Sequence, residues 1–167
     1  MVQVPVGRAL PDDETVRKLI VAAYDHLGRR GHSRGELGAR LRRLGGTPAS
    51  VEAALDWLTA RGLLDDRRYA EEAARVGAEG KRWGRHKLRQ WLQQRGVSAE
   101  VADEAVSGLS AEGEKERAAS LAAQQRARGK RPEQIFRFLV SRGYSSGLAR
   151  SAALSDADDE MAHDESV

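Results

Sequence analysis

The sequence predicts an all-α protein organised as an elongated array of three tandem three-helix repeats. Three observations carry this prediction: apolar residues recur at helical spacing, one short pattern occurs three times, and the alternating apolar stretches typical of strands are missing. Of the 167 residues, 40% are hydrophobic and only 4 are proline. The chain therefore has enough apolar material for a core and few interruptions of its helical pattern.

The first three helices are indicated by their apolar spacing and their start signals. The apolar positions of the first helix are Val16, Leu19, Ile20, Ala23, Tyr24 and Leu27. Ser33 and Glu36 match a capping box, in which each side chain satisfies a backbone N–H, and they predict a second helix over 33–44. Thr47 followed by Pro48 predicts the start of a third helix, because threonine is a good cap and proline is tolerated at the first helical position.

An apolar pair four residues apart, followed by a glycine four residues later, occurs three times. The copies are Leu37, Leu41 and Gly45; Leu88, Leu92 and Gly96; and Ile135, Leu139 and Gly143. A fourth helix is predicted over 65–76, with Tyr69, Ala73 and Val76 on its apolar face, and a seventh over 114–126. Each repeat then holds three helices, and repeats of this size are expected to stack and bury a shared surface.

These patterns divide the chain into five segments. They are an N-terminal segment, 1–14; three helical repeats, 15–62, 63–110 and 111–154; and an acidic tail, 155–167, which we expect to be disordered. The tail carries six acidic residues and no lysine or arginine, a composition that favours a solvated chain. The rest of the chain is therefore more basic than the net charge of +3 indicates, which favours nucleic acid or an acidic protein as partner.

The composition and spacing give no support for catalysis or a cofactor. Without cysteine, the chain has no disulfide, thiolate zinc site or cysteine nucleophile. Asp65 and Asp66 precede a predicted helix, where carboxylates cap free N–H groups, so we interpret them as caps and not as metal ligands. The histidines lack the spacing of a helical zinc pair. We expect no enzymatic activity, no cofactor, no membrane segment, a cytoplasmic location and a monomer.

The densest basic stretch begins at residue 81. Its candidate contacts to nucleic acid or to a protein filament are Lys81, Arg82, Trp83, Arg85, Lys87, Arg89 and Arg95. Arg85 and Arg89 are four residues apart and so lie on one face of a helix, a spacing that suits phosphates or carboxylates. Arg40 and Arg43 belong to a second cluster in the first repeat. The alternative interpretation is that the tryptophans of this stretch cover the core while its arginines are merely solvated.

Four stretches together resemble the RecX family. They are H-S-x-x-E-L from 32 to 37, G-L-L-D-D-R-R-Y-A from 62 to 70, W-G-R-x-K-L-x-x-x-L-x-x-R-G-V-S from 83 to 98, and F-L-V-S-R-G-Y-S from 138 to 145. The resemblance extends over residues 15–154. The family's three-module arrangement agrees with the repeats inferred above.

The resemblance implies a regulator that binds the filament of the RecA recombinase on single-stranded DNA and limits filament growth, ATP hydrolysis and strand exchange. Inhibition would be steric and conformational. The first candidate contacts are then Arg82, Arg85, Lys87 and Arg89, with double-stranded DNA open as a further ligand. Architectural roles are expected for Asp65, Asp66, Tyr69, Gly96 and Gly143.

Two other functions stay open at this point. The chain could be a nucleic-acid-binding protein that acts without RecA, or a helical adaptor whose basic surface meets another acidic protein. Salt dependence separates these alternatives, because a protein that neutralises phosphates loses affinity steeply with added salt, whereas an apolar adaptor contact does not.

Overall fold

The computed structural model describes residue 11 and residues 13–155, and within them it has nine α-helices and no strand. The helices are α1 (Glu14–Leu27), α2 (Arg34–Arg43), α3 (Pro48–Thr59), α4 (Asp66–Gly80), α5 (Arg85–Gln94), α6 (Ala99–Ser107), α7 (Ala111–Arg126), α8 (Pro132–Ser141) and α9 (Ser146–Leu154). The all-α prediction is confirmed for these residues. The predicted acidic tail lies, after its first residue, outside the described residues. None of the described helices is long and apolar enough to cross a membrane.

The helices α1, α2 and α3 pack against one another around one core. Asp13 caps α1 by accepting hydrogen bonds from the backbone N–H groups of Thr15 and Val16, at 2.8 and 3.1 Å. Thr47 caps α3 by accepting from the N–H of Ser50. The buried apolar side chains are Val16, Leu19, Ile20, Ala23, Leu37, Leu41, Val51, Ala54, Leu55, Leu58 and Leu64. Their helical spacing directs one face of each helix inward.

The helices α7, α8 and α9 enclose a second core. Ser110 accepts a hydrogen bond from the N–H of Gly113 at 3.1 Å, so α7 begins at Ala111 and not at the predicted residue 114. Ser145 caps α9 in the same way, through the N–H of Leu148. The buried side chains are Ala118, Leu121, Ala122, Ile135, Leu139, Tyr144, Ala149, Ala152 and Ala153. Alanine predominates, which lets these helices approach closely.

The helix α4 differs from its prediction in length and in its buried face. It continues to Gly80 instead of ending near residue 76. Its buried alanines are Ala70, Ala74 and Ala78. Tyr69 and Ala73 are half-buried, but Val76 is 50% exposed, so the prediction that Val76 lies on the apolar face is wrong. The buried face is formed by small residues four apart. The prediction followed the larger valine instead and so chose the neighbouring face of the helix.

The contacts between residues divide the chain into two compact units. Among the described residues, the first unit comprises those up to residue 72 with 92–102, and the second comprises 73–91 with 103–155. Each of α4, α5 and α6 contributes residues to both units. The predicted repeat boundaries and the elongated shape therefore stay predictions.

Candidate functional site

Two glycines bring the start of α2 against the turn that follows α5, a contact we call the first junction. The hydroxyl of Ser33 donates a hydrogen bond to the carbonyl oxygen of Arg95. A Cβ atom on Gly35 would lie 2.6 Å from the Cα atom of Gly96, so the approach of the two backbones requires glycine. Gly96 also has a φ of 78°, the left-handed conformation that commonly ends a helix.

Glu36 is the charged centre of the first junction. Its carboxylate accepts hydrogen bonds from Nη1 of Arg95 at 2.7 Å, from Nη1 of Arg30 at 3.3 Å and from the hydroxyl of Tyr69 at 3.3 Å. Burial favours the neutral acid, but the two guanidinium groups outweigh burial and hold the pKa of Glu36 below its usual value. The predicted capping box is thus half formed, because Ser33 accepts from the N–H of Glu36 at 3.0 Å while the carboxylate binds the arginines.

The adjacent Asp65 and Asp66 cap two different helices. Asp65 accepts a hydrogen bond from the N–H of Arg68 at 3.1 Å, at the start of α4, as its position in the sequence indicates. Asp66 instead accepts from the backbone N–H of Arg34 at 2.6 Å, at the start of α2. This second contact joins residues far apart in the chain, so it cannot be predicted from the capping pattern at a single helix start. Among the described residues, no cluster of histidines and carboxylates could hold a metal ion.

A groove of about 400 Å³ lies beside the first junction and is called the arginine groove below. Its charged lining residues are Arg30, Glu36, Arg40, Arg43 and Arg95, with His32 beside them. Three of the predicted contact residues, Arg40, Arg43 and Arg95, are thus brought to one place. Arg30, another member of the second basic cluster of the sequence, lies with them, as does His32, which the sequence did not indicate as a contact. Arg40 is exposed, and Nε of Arg43 donates to the carbonyl oxygen of Ala39 in its own helix at 3.3 Å. Within the described part of the chain only one carboxylate lines the groove, so it is positively charged.

The start of α5 meets the turn after α8 in a similar way, and this contact is called the second junction. The N–H of Gly84 donates to the carbonyl oxygen of Arg142 at 2.9 Å, and the N–H of His86 donates to that of Gly143 at 3.1 Å. A Cβ atom on Gly84 would overlap the Gly143 carbonyl group. Gly143 has a φ of 88°, so the backbone requires glycine at both positions.

Lys81, Arg82, Trp83 and Lys87 gather at the second junction and form what we call the tryptophan–lysine patch. The Nζ atoms of Lys81 and Lys87 lie 4.5 and 5.3 Å from the centroid of the Trp83 ring, within reach of a cation–π interaction. Arg82 has a φ of 51°, which is uncommon for a residue with a side chain. Its carbonyl oxygen accepts a hydrogen bond from the hydroxyl of Tyr144 at 3.0 Å, which helps to hold the backbone of the patch in place.

Arg85 and Arg89, the other predicted contacts on α5, are paired with carboxylates. The guanidinium of Arg85 donates to the carbonyl oxygen of Leu109. Its Nε atom lies 3.2 Å from Oε2 of Glu114, close enough for an ion pair but not aligned as a hydrogen bond. Arg89 forms a two-pronged pair with Asp103, through Nε and through Nη2 at 2.9 Å. The guanidinium groups of both arginines are therefore paired with carboxylates, whereas the lysines of the patch lie over an aromatic ring.

The fold and these sites define a class, an all-helical repeat protein with two basic surfaces. The family model of the second three-helix domain of RecX matches residues 65–106. The regulatory protein RecX of Leptothrix cholodnii is 38% identical over 146 residues, which cover 85% of this chain and 90% of the relative. The regulatory protein RecX of a Thermus thermophilus strain is 40% identical over 126 residues, 75% of this chain and 83% of the relative. The chain belongs to the RecX family.

Solved structures support the same fold. The crystal structure of RecX from Lactobacillus salivarius superimposes with a TM-score of 0.78 at 20% sequence identity, covering 85% of this chain and 96% of that one. A second crystal structure of regulatory protein RecX gives a TM-score of 0.74 at 23% identity, covering 81% of this chain and 70% of that one. The prediction of tandem three-helix repeats is confirmed.

Proposed function

We propose that the protein binds the RecA filament on single-stranded DNA and restrains its extension, its ATP hydrolysis and strand exchange, without catalysing a reaction itself. The observation that carries the proposal is membership of the RecX family, with similarity to a curated regulatory protein over 85% of the chain. DNA carries a row of phosphate groups, so a filament on DNA holds phosphates along its length. Basic surfaces on a repeat protein suit such a partner, because electrostatic attraction speeds encounter and stacked repeats can contact successive subunits.

The tryptophan–lysine patch is the surface that we expect to meet these phosphates. Within the part of the chain that the structure describes, its lysines contact an aromatic ring and no carboxylate, so their positive charge is not neutralised by those contacts. The neighbouring Arg142 adds a guanidinium whose Nη1 donates to the carbonyl oxygen of Lys81 at 2.9 Å. Cations arranged in this way attract the nucleic-acid backbone whatever its base sequence.

Nucleic-acid binding without RecA is the second candidate function, and the arginine groove favours it. Its lining arginines outnumber its carboxylate, and such a groove attracts phosphates whether or not a recombinase is present. The adaptor hypothesis has less support, because both candidate surfaces are charged.

The decisive experiment measures RecA-dependent ATP hydrolysis on single-stranded DNA while the full chain is titrated in, with filament occupancy followed in parallel. The variant Arg82→Ala/Lys87→Ala removes two charges from the patch and leaves the Arg85 and Arg89 ion pairs in place. The matched control, Arg17→Ala/Lys18→Ala, removes two charges from exposed positions of α1. Circular dichroism checks that both variants are folded.

We expect inhibition at amounts well below those that coat the DNA, and we expect the patch variant to need about tenfold more protein, the loss of about 1.4 kcal/mol of binding. The control variant should inhibit like the parent chain. No effect on a demonstrably assembled cognate filament would contradict the proposal. Binding to DNA that is equally strong without RecA, and that weakens steeply with salt, would favour the second candidate function.

A further inference from the structure

We propose that the arginine groove is a binding site for a phosphate group and that His32 takes up a proton when the phosphate binds. The inference rests on the proposed function, since it names the chemistry by which one basic surface would hold a nucleic-acid backbone. A phosphodiester and a free phosphate ion share this chemistry, and the experiment below separates them.

The charges of the groove suit a phosphate. Glu36, the carboxylate that lines it, is engaged by Arg30 and by Arg95, which fixes both guanidinium groups at the groove. Arg40 and Arg43 lie three residues apart on α2 and line the same groove. Two arginines at this helical spacing are neighbours on one face and can bind one phosphate together.

His32 distinguishes this groove from an ordinary basic surface. The residue is only 4% exposed, and its Nδ1 atom lies 2.9 Å from the carbonyl oxygen of Arg30. A carbonyl oxygen can only accept, so Nδ1 carries the proton and Nε2 of the neutral ring is an acceptor. This Nε2 atom is buried and has no hydrogen-bond partner in the described part of the chain.

A buried polar atom without a partner is energetically costly, and native structures contain few of them. His32 lines the groove, but its Nε2 atom is covered in this structure, so a phosphate oxygen reaches it only when neighbouring side chains of the groove move. An anion bound in this way would remove the cost at His32. Once Nε2 is protonated, it becomes a charged donor, and a phosphate oxygen is a strong acceptor for it. The unpartnered atom and the surrounding arginines therefore point to the same ligand.

Four titratable groups surround His32, and the net effect of these groups and of burial favours its neutral ring while the groove holds no anion. They are His26 of α1, with its ring centroid 6.1 Å away, Arg30 in the preceding loop, and Glu36 and Arg40 of α2. Burial is the main reason that the pKa of His32 is lowered; the charges of two arginines add to it, and the backbone hydrogen bond and Glu36 oppose it. A bound phosphate adds negative charge beside the ring and so raises this pKa again.

Proton uptake sets the direction of the pH dependence. Because the pKa of His32 is higher in the complex than in the free protein, binding takes up a proton at pH values between the two. Affinity therefore increases as the pH falls through this interval, by at most about tenfold per pH unit for one proton. Below the pKa of the free protein, the ring is protonated in both states and the dependence ends.

The first measurement is an NMR titration of the imidazole resonances of the full chain between about pH 5 and pH 8. It is done alone, with inorganic phosphate, and with a single-stranded oligonucleotide. The variant His32→Gln, titrated in the same way, identifies the resonances of His32. We expect the pKa of His32 to rise by about one unit or more on binding, as for a histidine that gains an anionic partner.

The second measurement compares the oligonucleotide affinities of variants. Arg40→Ala/Arg43→Ala should weaken binding about tenfold or more, since it removes two charged donors. Arg128→Ala/Lys130→Ala removes the same charge from exposed positions after α7 and should have a smaller effect. His32→Gln keeps a polar side chain that does not titrate, so we expect it to bind with an affinity that no longer increases as the pH falls.

A rise in the pKa of His32 with phosphate and with oligonucleotide assigns the groove to the nucleic-acid backbone. A rise with inorganic phosphate alone assigns it to free phosphate; both results support a phosphate site. An unchanged pKa at saturating concentrations of both probes overturns the proposal, as does an unaltered pH dependence in His32→Gln. RecA is absent from all of these measurements, so their failure is distinct from failure of the filament proposal.

Discussion

The first and second junctions share a backbone arrangement although they lie in different parts of the chain. In each, the start of a repeat's second helix meets a glycine turn of the following repeat. In each, a carboxylate from that following repeat caps the same helix: Asp66 accepts from the N–H of Arg34 at 2.6 Å, and Glu114 accepts from the N–H of Arg85 at 3.0 Å. The two arginines occupy the same position of the repeated pattern, so equivalent residues make equivalent contacts.

One repeat position carries opposite charges in the two junctions. The residue just before the first apolar residue of the pattern is Glu36 in the first junction and Lys87 in the second. Glu36 binds two arginines, whereas Nζ of Lys87 lies 3.4 Å from the carbonyl oxygen of Ser141 and above the Trp83 ring. The comparison teaches that the packing which joins repeats does not depend on this charge. One junction can therefore hold an ion-pair network while the other presents cations.

The largest expected effect comes from adding a Cβ atom at the glycine contacts. Gly84→Ala and Gly35→Ala should each destabilise the protein by about 1 to 3 kcal/mol, because backbone atoms must move to admit the methyl group. Chemical denaturation measures the loss. Gly147→Ala is the matched control: nothing lies within 4 Å of that position, and alanine is the better helix former. If Gly35→Ala were as stable as the parent, the two backbones of the first junction could move apart without loss of stability, which would contradict the prediction.

The capping carboxylates come next in size. Asp66→Ala and Glu114→Ala should each cost about 1 to 2 kcal/mol, because each leaves a backbone N–H at a helix start without its partner. The loss at Glu114 should be larger, since that residue also pairs with Arg85. Thermal unfolding followed by circular dichroism tests both. Glu112→Ala, which removes an exposed carboxylate from the same first turn of α7, should cost much less; a similar loss there would argue against specific capping.

Breaking the ion-pair network at Glu36 should affect only the first junction. Glu36→Gln is expected to cost about 1 kcal/mol at neutral pH, since two charge-assisted hydrogen bonds become weaker. Because the pKa of Glu36 is lowered in the folded protein, its contribution is present above the unfolded-state value and is lost as the pH falls through the folded-state value. Unfolding measured from neutral to acidic pH should therefore show the two curves converging in acid. Parallel curves would contradict the assigned ion pairs.

The smallest change in stability is expected for a substitution that makes the second junction resemble the first. Lys87→Glu would place a carboxylate at the position that Glu36 occupies, beside the turn that contains Arg142. We expect a gain of a few tenths of a kcal/mol, as for partly exposed ion pairs, together with weaker binding to single-stranded DNA. Lys87→Gln controls for loss of the lysine alone. If Lys87→Glu were less stable than Lys87→Gln, the charged residues at this position of the two junctions would not be interchangeable.

Local features of this protein could be predicted from its sequence with few errors. Ser33, Thr47 and Asp65 were recognisable as caps because a helix start needs an acceptor two or three residues before its free N–H groups. Gly96 and Gly143 were recognisable from their place after an apolar pair, where a helix commonly ends in a left-handed residue. The error at Val76 arose because small buried alanines give a weaker periodic signal than one large exposed side chain.

The sequence by itself determined the helices, the caps at several of their starts and their threefold repetition, because these depend on interactions between residues within about one or two turns. The end of α4 and the start of α7 differ from the prediction. Only the tertiary structure decided which charged residues find a partner. Glu36 meets Arg95 across 59 positions of the chain, and Arg85 and Arg89 are neutralised by carboxylates of other helices, while Lys81 and Lys87 meet the Trp83 ring. Ion-pair partners depend on which helices pack together, and the basic stretch of the sequence looks uniform until that packing is known.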